Sequence, residues 1–221
     1  MGVINNKKKF IWTWVPKCAG SFFYSHPDFK EADHSIEGGH ETYTELCELI
    51  DGDLSDYFTF AFSRNPYSRI VSAFHHFKRG HDFNYYSCFD DFILDNFKGN
   101  DGSLSVDHSK TYASSYRRQS NNGLVHDDHF RPQSYFMENK SGVIDLDFIG
   151  KTENLPDDFN FVCNKLDIKI IENKILNHHT INENKHDPYM SYFEGPNSRE
   201  KLDIVNFIYQ KDFTNHGYEQ A

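Results

Sequence analysis

Long apolar runs are missing from this sequence. The longest near the N-terminus, Phe10 to Val15, falls far short of the roughly 20 residues that a membrane-spanning helix needs. No signal-peptide core follows the basic Lys7 to Lys9, so the expectation is a soluble, cytoplasmic chain with no membrane span. Met1-Gly2 is followed at position 6 by Asn6, where myristoylation wants Ser or Thr, which removes a lipid anchor. Basic residues are also short: 23 Lys and Arg stand against 33 Asp and Glu, a formal net charge of −10. Nucleic acids and anionic membrane surfaces are held by clustered cations, so broad binding of either is excluded, and any anion must be held by a local pocket. Only four cysteines occur, Cys18, Cys47, Cys88 and Cys163, with no Cys-x-x-Cys pair. That excludes a zinc ribbon and a dense disulfide framework and suits free thiols in a reducing compartment.

What is present is a chain of 221 residues with 38% hydrophobic and 16% aromatic content, enough to bury the core of one ordinary domain spanning 1–221. Phe10 to Val15 is aromatic and β-branched, bounded by lysines and Pro16, as a short buried strand is. Glu41 to Ile50 places Tyr43, Leu46, Leu49 and Ile50 at helical spacing and closes on Asp51-Gly52-Asp53. Tyr57 to Ser63 reads as a second buried strand. Asn65-Pro66 then supplies a cap and first-turn proline for a helix carrying Ile70, Phe74 and Phe77 on one face. Asp95 to Asp128 is polar and rich in Gly, Ser and Asn, an irregular excursion of the kind that selects substrates. Ile144 to Ile149 alternates like a strand, Pro156 opens a helix with Phe159, Val162 and Leu166 inward, and Asn197 to Phe213 forms a closing helix on Leu202, Val205 and Ile208. Strands alternating with helices imply an α/β fold with a mostly parallel sheet. No internal repeat is visible.

Two stretches carry chemistry. Pro16-Lys17-Cys18-Ala19-Gly20-Ser21 leaves a strand and opens a helix, where backbone N–H groups and the helix dipole favour an anion and Lys17 adds a full charge. An ordinary strand-to-helix turn with a surface lysine is the plain alternative. It is not a Walker A loop, because the lysine precedes the glycine. Arg64-Asn65-Pro66-Tyr67-Ser68-Arg69-Ile70-Val71-Ser72 also follows a strand. Ser72 lies roughly 10 Å along the helix, where both Arg64 and Ser72 can reach one phosphate. A salt-bridge role for Arg64 and a packing role for Ser72 are the bland reading.

Taken together these stretches resemble the cofactor loops of the carbohydrate sulfotransferases (sulfotransferase family 2, including soluble microbial relatives). The family's Pro-Lys-x-x-Gly-[Ser/Thr] loop is matched by Pro16, Lys17, Gly20 and Ser21, and its Arg-x-Pro-x-x-Arg-x-x-Ser by Arg64, Pro66, Arg69 and Ser72. The likeness continues in His129-Phe130-Arg131-Pro132-Gln133-Ser134-Tyr135, in Asp147 to Leu155, and in Tyr209-x-x-Asp212-Phe213-x-x-x-Gly217-Tyr218. The resemblance implies a P-loop-like three-layer α/β fold, helices flanking a central parallel sheet, and 3′-phosphoadenosine-5′-phosphosulfate as donor without a metal. It implies that Lys17, Cys18, Ala19, Gly20, Ser21 and Phe22 hold the 5′-phosphosulfate. Lys17 would stabilise the leaving group, Arg64 and Ser72 would hold the 3′-phosphate, and Lys185 would close over the cofactor. Cys18 stands where relatives often have Thr, so only its backbone N–H can serve. His26-Pro27 should stop the first helix early.

Thirteen histidines remain. No spacing among them matches a metal motif with its third ligand. His40 follows Gly38-Gly39, which leave room beside the imidazole, and relatives place a base in this interval; His129, inside another family stretch, competes for the role. The implied reaction is in-line sulfuryl transfer to an acceptor hydroxyl, on a carbohydrate first of all. A lipid, small-alcohol or tyrosine acceptor, or a non-catalytic nucleotide- or glycan-binding module, are the alternatives. A kinase is disfavoured by the missing Walker lysine position and the lack of a magnesium partner.

Overall fold

A computed structural model describes residues 2–30, 40–79, 88–98, 104, 128–170 and 188–221. Its elements in chain order begin with β1 (Val3–Asn5), β2 (Phe10–Thr13), α1 (Gly20–Tyr24), α2 (Pro27–Lys30), α3 (Tyr43–Glu48) and β3 (Phe58–Ser63). There follow α4 (Pro66–Arg79), α5 (Phe89–Phe97), α6 (Gln133–Met137), β4 (Phe148–Lys151), α7 (Leu155–Lys165), α8 (Ser198–Ile208) and α9 (Gln210–His216). They form two compact units: Met1–Arg64 with Gln133–Asn184, and Asn65–Pro132 with Lys185–Ala221.

The first unit is built on a sheet of order β1-β2-β3-β4. β2, β3 and β4 run parallel, with Trp12 opposite Phe60 and Phe60 opposite Phe148, while β1 pairs antiparallel to β2. This is the expected α/β fold with a mostly parallel sheet. The strands read as continuous apolar runs because both faces are covered. Phe10, Trp12, Phe60 and Phe62 pack with Phe23 and Phe29 of α1 and α2 and Phe159 and Val162 of α7. On the alternate positions Ile11 packs with Ile4, Leu46 of α3 and Tyr57. Gly150 sits where a β-carbon would lie 2.5 Å from the Phe62 ring on the neighbouring strand, so any larger residue there would have to displace the Phe62 ring.

Four expectations are corrected. β2 ends at Thr13, not at residue 15, because the Val15 N–H turns back to the Thr13 carbonyl (3.1 Å). β4 begins at Phe148, not at 144. The Asp147 carboxylate accepts from the Thr59 N–H (2.7 Å), and the Asp147 N–H donates to Thr59 Oγ1 (3.0 Å), so side chains replace the ladder there. The helix expected over 41–50 is the shorter α3, begun by Thr42 and Glu45 as a capping box. The closing helix is two, α8 and α9, divided at Tyr209 (φ −107°, ψ 23°), whose hydroxyl donates to the Phe130 carbonyl (2.8 Å). α1 does stop at Tyr24, and α2 restarts at Pro27.

In the second unit Ile70 and Phe74 of α4 join Phe92 and Ile93 of α5 and Ile204 and Val205 of α8. The side chain of Phe77 lies outside the described residues, as do Gly38, Gly39 and most of the 95–128 excursion. The buried Lys201 ammonium donates to Asp90 (2.7 Å) and to the carbonyls of Tyr192 (2.7 Å) and Glu194 (3.1 Å), tying α8 to α5. Burial of that charge is tolerated because each donor has an oxygen.

Candidate active site

The carboxyl ends of parallel strands are where α/β folds collect their ligands, and the segment leaving β2 has an unusual backbone. Lys17 (φ 66°) and Ala19 (φ 61°) are left-handed while Cys18 between them is not. Left-handed backbone on both sides of Cys18 lets the chain turn tightly from β2 into α1. Left-handed backbone at two non-glycine residues costs about 1–2 kcal/mol each, a strain that a functional loop tolerates. Ala19 caps α1 without any side-chain hydrogen bond.

Gly20 is fixed by contact rather than by φ. A β-carbon there would lie 1.7 Å from Trp14 Nε1 and 1.9 Å from Trp14 Cε2, so the indole and this loop share one space. Trp14 in turn stacks on Trp12 (5.1 Å between ring centres, 14°). Cys18 is buried, its N–H donates to Val15 O (3.2 Å) and its thiol to Gln133 Oε1 (3.1 Å). The Cys18 N–H expected to face a ligand is thus engaged within the loop. Phe22 has its ring in the core against Phe159 (4.8 Å) and its N–H on Ala19 O (2.9 Å). Ser21 is exposed and Lys17 half-buried.

Arg64 follows β3, the strand beside β2. Its Nη1 lies 3.4 Å from the Lys17 carbonyl oxygen, so the structure brings the two sequence-predicted stretches together at one sheet edge. Gln133, fully buried at the start of α6, meets Arg64 twice: the Arg64 N–H donates to Gln133 Oε1 and Gln133 Nε2 donates to the Arg64 carbonyl, both at 2.8 Å. Gln133 stands within the His129 to Tyr135 stretch without a charge or a spacing that marks it. A lone amide following Pro132 at a helix start was the available signal.

His40 belongs to the same unit. Its Nδ1 lies 3.2 Å from the Trp14 carbonyl oxygen, and its ring meets Trp14 (6.0 Å, 75°) and Phe136 (6.3 Å, 73°) edge-on. A carbonyl can only accept, so Nδ1 carries the proton and Nε2 is the basic nitrogen of the neutral ring.

Ser72 and His129 lie in the second unit. Ser72 is 4% exposed on α4, on the face whose Arg69 donates to the Arg131 carbonyl (2.8 Å) and whose His76 stacks on His129 (4.7 Å, 20°). Lys185 lies outside the described residues. Among the described residues no group of three or more His, Cys, Asp or Glu could hold a metal ion, and no helix is long and apolar enough to cross a membrane.

A family model described as "Sulfotransferase family" matches residues 2–219, which takes in both units. No curated protein and no solved structure matches the chain.

Proposed function

The chain belongs to the sulfotransferase family, and on that premise we propose that it moves a sulfuryl group from 3′-phosphoadenosine-5′-phosphosulfate to a hydroxyl on a carbohydrate acceptor. Sulfuryl transfer as such follows from the family; donor, acceptor and residue roles are our reading. One observation carries it most: the Lys17 loop and Arg64, far apart in sequence, meet at the carboxyl edge of β2 and β3, with Arg64 Nη1 3.4 Å from Lys17 O. The cations Lys17 and Arg64 suit a doubly anionic nucleotide. Since both units lie within the match, we read 1–221 as one sulfotransferase domain.

Bound there, the donor supplies the sulfuryl group. Lys17 neutralises charge that develops on the departing phosphate oxygen, a preorganised contact typically worth roughly a hundredfold to a thousandfold in rate. Arg64 holds the 3′-phosphate and so separates this donor from ATP. Ser72 is assigned to the same phosphate on the resemblance alone. His40 takes the proton of the acceptor hydroxyl on Nε2, oriented by its Nδ1 contact to Trp14 O. No metal enters, because Lys17 and the loop N–H groups provide the positive field.

The test is incubation with labelled donor and a panel of sugar, lipid, small-alcohol and tyrosine acceptors, with and without chelator. Label on a sugar hydroxyl, undiminished by EDTA, is the expected result. Label on another acceptor class overturns the carbohydrate reading, and activity lost to EDTA and restored by magnesium or zinc overturns the metal-free one.

A further inference from the structure

The neutral amide of Gln133 joins the two stretches that carry Lys17 and Arg64. Oε1 accepts from the Arg64 N–H (2.8 Å) and from the Cys18 thiol (3.1 Å), and Nε2 donates to the Arg64 carbonyl (2.8 Å). The peptide groups dictate which way round the amide lies, since an N–H can only donate and a carbonyl only accept. The residue is 0% exposed, and in such surroundings a fully paired amide holds a single geometry while a broken one leaves buried groups unpaired. The clamp acts on the backbone of Arg64, from which the guanidinium reaches Lys17 O at 3.4 Å.

We propose that Gln133 is a positioning residue for donor selection: by holding the Arg64 backbone against the Cys18 segment, it places the guanidinium where a 3′-phosphate is read. This rests on the donor reading above. It differs from a purely structural role in a measurable way. A residue that merely stabilises the fold affects all nucleotides alike, whereas one that positions Arg64 affects only those bearing a 3′-phosphate.

The experiment compares affinity for 3′-phosphoadenosine-5′-phosphate and adenosine 5′-phosphate in the wild-type chain, Gln133→Met, Gln133→Glu, Arg64→Ala and the double variant Arg64→Ala/Gln133→Met. Methionine keeps the length and removes these hydrogen bonds. Glutamate keeps the acceptor but sets an oxygen against the Arg64 carbonyl, and it serves if the methionine variant does not fold. Loss of affinity for the 3′-phosphorylated nucleotide of about tenfold or more, with less than about threefold for adenosine 5′-phosphate, is expected in either Gln133 variant. The double variant should bind no more weakly than Arg64→Ala, because the two changes remove one interaction. Equal losses for both nucleotides, unchanged discrimination, or additive losses in the double variant overturn the proposal. A wild-type chain with no preference for the 3′-phosphorylated nucleotide overturns the donor reading itself, and is seen before any variant is measured.

Discussion

The indole of Trp14 occupies the space that a side chain on Gly20 would need, with Nε1 only 1.7 Å from the position of its β-carbon. Trp14 is itself held by stacking on Trp12, so it cannot simply retreat. Overpacking of this kind typically costs about 1–3 kcal/mol. Gly20→Ala should lower stability by that amount and weaken nucleotide binding. Trp14→Phe, which trims the indole, should recover part of the loss in the double variant. Urea unfolding of the four proteins checks this. Additive losses would mean that the two residues do not share one space.

Arg64 and Ser72 differ in what they can offer a phosphate. The guanidinium makes charge-assisted, potentially bidentate contacts, and the hydroxyl makes one neutral hydrogen bond. Arg64→Ala is expected to reduce affinity for 3′-phosphoadenosine-5′-phosphate strongly, by about 1.5–3 kcal/mol, and Ser72→Ala by no more than about 1.5 kcal/mol. Titration calorimetry decides, and unchanged affinity in the Arg64 variant would remove it from the 3′-phosphate site.

Much of this arrangement is written locally in the chain. β2 and β3 are aromatic and β-branched, Pro66 and Asn65 mark the start of α4, and the Lys17 and Arg64 stretches stand directly after their strands. What local pattern cannot display is long-range pairing. Gln133 meets Arg64 across 69 residues and Asp147 meets Thr59 across 88. The first pairing organises the site and the second shifts the start of β4. The three-residue β1 is too short for periodicity to register, and Tyr209 reads as helical until its hydroxyl finds Phe130. The orientation of His40 likewise depends on a carbonyl oxygen, which carries no side-chain signature at all.

Alkaline stability should be limited by buried acids. Burial, with a smaller contribution from Asp28, pushes the Cys163 thiol from 9.0 up to about 12, and burial also raises Tyr43 and Cys47. The folded state therefore keeps protons that the unfolded state gives up. Stability from Cys163 is fully present below pH 9.0 and is lost progressively as pH rises through about 12. Urea unfolding between pH 8 and 11 should show falling stability above about pH 9, less steeply in Cys163→Ala. An equal slope in that variant would show that Cys163 does not contribute.

The contact between His40 Nδ1 and the Trp14 carbonyl (3.2 Å) sets the last prediction. With Nδ1 committed as donor, Nε2 of the neutral ring can take a proton, and the same carbonyl then stabilises the imidazolium that forms. A neutral hydroxyl attacks sulfur slowly, and a positioned base typically contributes roughly a hundredfold to ten-thousandfold. His40→Ala should lower kcat by at least about a hundredfold while donor affinity stays near normal, the pattern of an interaction made only in the transition state. His129 is the competing base, and on the His40 assignment the same change there should leave kcat within a few-fold of normal. A His40→Ala chain with near-normal kcat beside an inactive His129→Ala chain would move the base to His129 and overturn the assignment made from the Trp14 contact.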